Sequence, residues 1–237
     1  MLILATDTSG KHGSVALVRY EANTSSTLQV VPLQGGTFSA QLIPQIAELL
    51  SKHDLSKADL DAFAVATGPG SFTGLRVGLA AIKALAEILR KPITTVSLLE
   101  VIAAQAKPIA AEQSRIVLAA LDAGRNEVFV GEYNVGPAMP SCVAEDLLRL
   151  DELTSRVSKS SVPVYTPDDS VEQVLATGRE NSGESNIIRV TRPDAVSVAS
   201  LGWKKFHAGL MVSPEELDAT YIRRAPAEIK KPTHTPA

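Results

Sequence analysis

The sequence predicts an α/β protein of two lobes, each a mixed sheet flanked by helices. An apolar strand at residues 62–66 runs through Gly68-Pro69-Gly70, a cluster that forces a turn, into a long apolar helix. Residues 2–18 and 116–133 form an internal duplication of apolar strand, aspartate, glycine-containing turn and returning strand. Two such hairpins facing each other across a cleft, where they flank a nucleotide, are typical of actin-like (ASKHA) and sugar-kinase-like folds.

The predicted first lobe spans residues 1–106, and the second, degenerate lobe spans residues 107–237. In the first lobe, periodicity predicts strands at 2–5, 14–18, 27–32, 62–66 and 92–96, with helices at 39–50, 73–90 and 98–106. Ser39, Ser97 and either Ser71 or Thr73 are the candidate helix caps. In the second lobe, strands are predicted at 116–121, 127–133, 162–165 and 187–190, with helices at 145–150, 153–157, 171–175 and 194–210. The last helix can cross back to the first lobe, and a basic tail with Arg224, Lys230 and Lys231 follows it.

The composition predicts a soluble protein with an ample core. Of the 237 residues 45% are hydrophobic, and the net charge is only −3 with the basic residues scattered, so no extended nucleic-acid surface is expected. The single cysteine, Cys142, excludes an internal disulfide and fits a reducing cytosol. No run approaches transmembrane length, so we expect a cytoplasmic protein with no membrane partner.

The helix after the central turn is apolar on two faces, and such a helix is normally buried on more than one side. One face can pack on its own sheet, and the other needs a second layer or another protein. Gly74 and Gly78, one turn apart, would let a neighbouring backbone come close. The two stripes are Leu75, Leu79, Ile82, Ala86 and Leu89, and Val77, Ala81, Ala84 and Ile88.

Two interpretations of the turn and of the first hairpin remain open. Gly68 and Gly70, at a helix N-terminus, could cradle phosphate with backbone N–H groups. Asp7, Thr8 and Ser9, at a strand end, are groups that a phosphate and its Mg²⁺ need. The simpler interpretation is a tight structural turn, with Asp, Thr and Ser bonded to their own backbone. The residues alone favour the simpler one at both places, and the stretch matches neither standard phosphate-loop motif.

Conventional catalytic chemistry is missing from the sequence. The four histidines are His12, His53, His207 and His234, and no two of them are three or four residues apart. No G-x-S-x-G elbow is present, and Cys142 lacks a recognisable neighbouring base. We therefore predict neither a metal site nor a nucleophile.

Residues 67–78, Thr-Gly-Pro-Gly-Ser-Phe-Thr-Gly-Leu-Arg-Val-Gly, closely resemble the signature of the TsaB (YeaZ) family. That family is the dimerisation subunit of the bacterial machinery that installs threonylcarbamoyl on adenosine 37 of tRNA. Residues 4–9, 119–129 and 219–224 are similar to further family segments. The catalytic relative carries a His-x-x-x-His metal motif, and residues 38–44 here, which begin with Phe38 where the family commonly has histidine, contain no histidine.

The resemblance implies a non-catalytic scaffold that pairs with a TsaD-type catalytic subunit through first-lobe helices, with a TsaE-type ATPase joining them. It implies a homodimer when the chain is alone, only indirect contact with tRNA, no required cofactor, and ATP or ADP near the subunit interface. The alternative function is an ATP-binding kinase-like or transferase enzyme, with Asp7, Thr8, Ser9 and the turn from Gly68 to Gly70 around the nucleotide. The predicted partner contacts are Leu42, Ile46, Leu49, Phe72, Gly74, Leu75, Arg76, Gly78, Leu79, Ile82, Lys83 and Ala86.

Overall fold

The computed structural model describes residues 1–21, 24–106, 115–136, 138–177 and 186–222. The predicted basic tail, residues 223–237, lies outside this part of the chain. The elements in chain order are β1 (Leu2–Asp7), β2 (His12–Glu21), β3 (Thr24–Gln34), α1 (Phe38–Ser51), β4 (Ala62–Gly68), α2 (Phe72–Leu89), β5 (Ile93–Ser97), α3 (Leu98–Ala103), β6 (Arg115–Gly124), β7 (Glu127–Val135), β8 (Ser141–Arg149), α4 (Leu150–Ser158), β9 (Val164–Thr166), α5 (Asp169–Thr177), β10 (Ile187–Arg189) and α6 (Ala195–His207).

The two sheets repeat one topology. The first has the order β3-β2-β1-β4-β5, and the second has the order β8-β7-β6-β9-β10. In each, the first three strands of the chain are antiparallel neighbours, and two further strands add in parallel beside the first. The duplication seen in the sequence is therefore a duplication of a whole mixed sheet, and the predicted two-lobe α/β fold is confirmed.

Both faces of the first sheet are covered by helices. Leu2 and Leu4 of β1 point to the side of α1 and α2, whereas Ile3 and Ala5 point to the side of α3 and α6. A strand buried on both faces needs the continuous apolar sequence that β1 has. The helix α6 crosses back from the C-terminal part of the chain to pack on β1, β2, β4 and β5. The lobe boundary at residue 106 stays a prediction. The helix α6, which covers the second face of the first sheet together with α3, comes from beyond that boundary.

Two local predictions were wrong. Residues 145–150 were predicted as a helix, but β8 covers most of them and pairs antiparallel with β7 as the edge of the second sheet. Pairing of eight of its residues with β7 overrides the helical propensity of its Ala, Glu and Leu. Ser39 does not cap α1: Thr37 occupies the cap position, and its side chain makes no capping hydrogen bond. Ser71, Ser97 and Asp194 do cap their helices by accepting a backbone N–H.

Within the described ranges, no helix is both long and apolar enough to cross a membrane.

Candidate functional site

A cavity of about 440 Å³ separates the two hairpins and is the candidate ligand cleft. The first hairpin contributes Asp7, Ser9 and Lys11 to its wall, and the second contributes Asp122. Asp168, after β9, and Arg192, before α6, close the second side. The duplicated topology therefore brings the aspartates at the ends of β1 and β6 to one cleft, as the sequence predicted.

Asp7 is the most constrained of these groups. Only 4% of its surface is exposed, and its carboxylate accepts the Ser9 N–H at 2.9 Å. Burial raises the pKa of the Asp7 carboxyl, and the bonds from Ser9 oppose this only in part. Asp194 raises the pKa further, while Arg192 lowers it. The site therefore holds a carboxyl that its surroundings disfavour in the charged form.

The acids of the second lobe have partners of their own. Asp168 accepts the Asp122 N–H at 2.8 Å and forms an ion pair with Arg192, while Asp122 accepts the Ser170 hydroxyl at 2.9 Å. Within the described residues, no three His, Cys, Asp or Glu side chains are grouped to hold a metal ion. Asp7, Asp122 and Asp168 would repel a bare phosphate in this cleft, so a nucleotide bound here would need a cation between its phosphates and these carboxylates.

The glycine turn packs against the end of β1. The Ser71 N–H donates to the Ser9 carbonyl at 2.5 Å, and Ser71 Oγ accepts the Gly74 N–H at 3.3 Å. A Cβ at Gly70 would lie well inside 3.0 Å of the Ser9 carbonyl oxygen, and Gly68 has a φ of 129°, which favours glycine. These glycines and N–H groups serve the packing of the turn, which supports the structural interpretation over a phosphate cradle.

The close approach predicted at Gly74 and Gly78 is made by the chain itself. The Thr8 hydroxyl donates to the Gly74 carbonyl at 2.8 Å. A Cβ at either glycine would collide with Thr8. Phe38, which is 4% exposed, lies over Gly13 and Gly74 and so fills the α1 entrance with an aromatic ring. Thr8 is therefore a packing residue at the β1–α2 contact.

The predicted partner contacts divide by burial in the free chain. Phe72, Arg76 and Lys83 keep exposed surface. The other nine are buried because this stripe of α2 and the apolar side of α1 cover the first sheet, and their part in pairing stays a prediction. The nine are Leu42, Ile46, Leu49, Gly74, Leu75, Gly78, Leu79, Ile82 and Ala86.

The second apolar stripe of α2 faces outward instead. We call this face the outer strip and define it as the four stripe residues Val77, Ala81, Ala84 and Ile88 with the adjacent Ala80, all exposed or half-buried. Ile88 has 78% of its surface exposed. Ile43 of α1, at 48%, is another exposed large apolar side chain on this helix pair. Whether a partner covers the strip stays a prediction, but the strip is the apolar surface that the helix offers.

Sequence analysis missed the segment that follows α6 and lies along α2. The Thr220 N–H donates to the Thr67 carbonyl at 2.9 Å, and Lys83 Nζ donates to the Glu215 carbonyl at 3.4 Å. Arg76 Nε donates to the Tyr221 hydroxyl at 3.2 Å. The similarity noticed at residues 219–224 was a signal of this segment, but it did not indicate where the segment packs.

Asp7→Asn is expected to raise Tm by a few degrees at pH 7. Because burial raises the folded-state pKa, the ionised carboxylate destabilises the fold above that pKa, and the cost disappears below the unfolded value near 3.8. The gain measured by thermal unfolding should therefore shrink as the pH falls towards 4.

Asp59 is the control of opposite sign. Its exposed carboxylate accepts two hydrogen bonds from Ser56, which lower its pKa. Asp59→Asn should therefore lower the stability at pH 7. A Tm for Asp7→Asn at or below that of the unmodified protein at pH 7 would contradict this account.

Comparisons of sequence and structure show which known proteins this chain is similar to. The chain matches the family model described as TsaD, tRNA N6-adenosine threonylcarbamoyltransferase, over residues 29–164, more than half of its length. It is 29% identical over 238 residues to the tRNA threonylcarbamoyladenosine biosynthesis protein TsaB of Bacillus subtilis, covering 97% of both chains. It is 27% identical to the protein of that name from Escherichia coli, covering 98% of this chain and 99% of that one. A Pseudomonas aeruginosa crystal structure, described as an uncharacterized protein with similarity to peptidase YeaZ, superposes with a TM-score of 0.71 at 25% identity, covering 94% of this chain and 99% of that one.

Proposed function

The chain belongs to the TsaB (YeaZ) family, and from this premise we propose that it is a non-catalytic subunit in the biosynthesis of threonylcarbamoyladenosine in tRNA. Its task is to pair with, and activate, a TsaD-type catalytic subunit. The observation that carries the proposal is the outer strip of α2. It is an apolar helix face that keeps exposed surface among the residues that the structure describes, Ile88 most of all.

The strip has the chemistry of an association surface. Fully burying an isoleucine stabilises a complex by about 1.5–3 kcal/mol, and Ile88 keeps most of that surface in water. The alanines beside it let a second helix approach closely. The outer strip contains no charged residue, and the centres of protein interfaces are likewise depleted of charge. The match to the TsaD family model covers the region containing α1 and α2. A TsaD-type subunit would therefore have corresponding helices, which supports it as the partner.

We further propose that the same strip pairs two copies when the catalytic subunit is absent, since a self-complementary apolar face favours a two-fold dimer. A TsaE-type ATPase joins the complex, and ATP or ADP lies near the subunit interface. No cofactor within the chain's own cleft is part of the proposal.

The rival function is an ATP-binding kinase-like enzyme, and the buried Asp7 in the interlobe cleft is the observation that favours it. Reconstitution separates the two. Threonylcarbamoyl transfer to tRNA is measured with the catalytic subunit and the ATPase, with this chain omitted, intact or carrying Asp7→Asn. The scaffold proposal expects transfer to need the chain and to survive Asp7→Asn. Loss of transfer in Asp7→Asn with subunit pairing intact would favour the enzyme, and transfer without the chain would contradict the proposal.

A further inference from the structure

A second cavity, of about 1000 Å³, opens beside the interlobe cleft. Four segments line it: the turn at residues 69–72 with Leu75, the second hairpin at 123–127 with Phe129, Leu147 and Arg149 of β8, and residues 220–222. We call this the mouth groove. Its volume is at the upper end of the range of cavities that bind ligands. It lies away from the outer strip, whose residues do not line it.

Behind one edge of the mouth groove, Arg76 stacks on Phe72 and bonds to Tyr221, two aromatic residues of the lining, without lining the groove itself. The guanidinium carbon of Arg76 lies 3.7 Å from the centre of the Phe72 ring, and Arg76 Nε donates to the Tyr221 hydroxyl. The Phe72 and Tyr221 rings are themselves 5.0 Å apart. Stacking and the hydrogen bond fix the guanidinium plane, and its other N–H groups are free of any carboxylate among the described residues. Such an arginine is pre-arranged for an anion.

The opposite edge carries a second such cation. Arg125 stands at the hairpin tip with a φ of 57°, and none of the ion pairs in the described ranges includes it. Arg149, which also lines the groove, is paired with Asp151. Glu127 is the acidic residue in the lining. In the sequence, Ile222 of the groove is followed directly by Arg223 and Arg224.

We propose that the mouth groove binds a single-stranded segment of RNA, with phosphates at Arg76 and Arg125 and a base on the exposed ring of Tyr221. Arginines that follow the backbone, next to aromatic rings that stack on bases, are how proteins bind single strands. An acidic peptide would use the arginines but not the rings. The identification of this RNA as tRNA rests on the proposed function.

A direct contact with tRNA at the mouth groove differs from the sequence-based expectation that the chain contacts tRNA only indirectly. That expectation followed from the low net charge and scattered basic residues. A whole-chain charge cannot reveal two guanidinium groups that the fold places on one groove from residues 76 and 125. The contact is local and should be weak in the free chain.

The test is fluorescence anisotropy of labelled tRNA with the full-length protein at low ionic strength. Arg76→Gln together with Arg125→Asn is expected to weaken binding roughly tenfold and to reduce the slope of log affinity against log salt by about 1.4, for two phosphate contacts. Asparagine suits the positive φ at position 125. Phe72→Ala removes the ring on which Arg76 stacks, so it is expected to weaken binding and to reduce the salt slope by about 0.7, for one phosphate contact. Arg19→Gln is the matched control, because Arg19 is exposed and pairs with Leu2 at the far end of β1.

Thermal unfolding checks that each variant keeps its fold. The inference is overturned if the intact chain does not bind tRNA, if the double variant binds as tightly as the Arg19 control, or if a polyglutamate peptide competes as well as RNA. None of these results touches the proposed function, which depends on whether transfer needs the chain. Loss of RNA binding in the double variant, with subunit pairing retained, is the expected outcome.

Discussion

Gly74→Ala is expected to destabilise the protein by roughly 3 kcal/mol, a fall in Tm of roughly 6–12 °C. The added Cβ would collide with the Thr8 carbonyl oxygen, which belongs to the backbone at the end of β1 and cannot turn away. The Thr8 hydroxyl, which donates to the Gly74 carbonyl, would be displaced with it. The strand end and the first turn of α2 would have to separate.

The sign of this change distinguishes packing from propensity. Alanine is a better helix former than glycine by about 1 kcal/mol, so a Gly74 without close neighbours would give a more stable variant. Gly10→Ala is the matched control, since its nearest atoms would be 3.8 Å away and no collision results. Differential scanning calorimetry of both variants measures the effect. An unchanged or raised Tm for Gly74→Ala would show that the β1–α2 contact is looser than the structure describes.

The sequence was most informative where local chemistry has few solutions. A Gly-Pro-Gly cluster between an apolar strand and an apolar helix can only be a tight turn, and Ser71 is in the cap position that its residue type suits. The duplication likewise predicted both sheets, because an apolar strand that ends in an aspartate and returns as a hairpin is a specific pattern. At β8 the local composition favoured a helix, and only the pairing with β7 made it a strand.

The candidate interface could not be resolved from the sequence for a related reason. Both stripes of α2 are apolar, so periodicity identified two faces without deciding which one the chain covers itself. The packing of α2 in the fold decides this: Leu79 is 7% exposed in the core of the first lobe, whereas Ile88 of the same helix is 78% exposed. The contact between Arg76 and Tyr221 joins residues 145 apart in the sequence, a separation at which single-sequence patterns carry no signal.

Ile88→Asp is expected to abolish pairing with the catalytic subunit, and with it threonylcarbamoyl transfer. A complex that buries Ile88 would bury an unpaired carboxylate in its place, which costs several kcal/mol and therefore weakens association at least a hundredfold. The fold should tolerate the change, since the side chain is in water. Leu79→Asp, in contrast, would place the charge in the core of the first lobe and unfold it, so loss of transfer in that variant would say nothing about the interface.

Val143→Asp is the matched control, because Val143 is 58% exposed but lies on β8 of the second sheet. Light scattering after size exclusion gives the mass of the free chain and of the mixture with the catalytic subunit, and transfer is measured on the same samples. The proposal expects Ile88→Asp to be a folded monomer that does not pair, while Val143→Asp pairs and supports transfer. If Ile88→Asp pairs normally, the outer strip is not the contact. A different surface would then have to activate the catalytic subunit, and the apolar face of α2 would need another explanation.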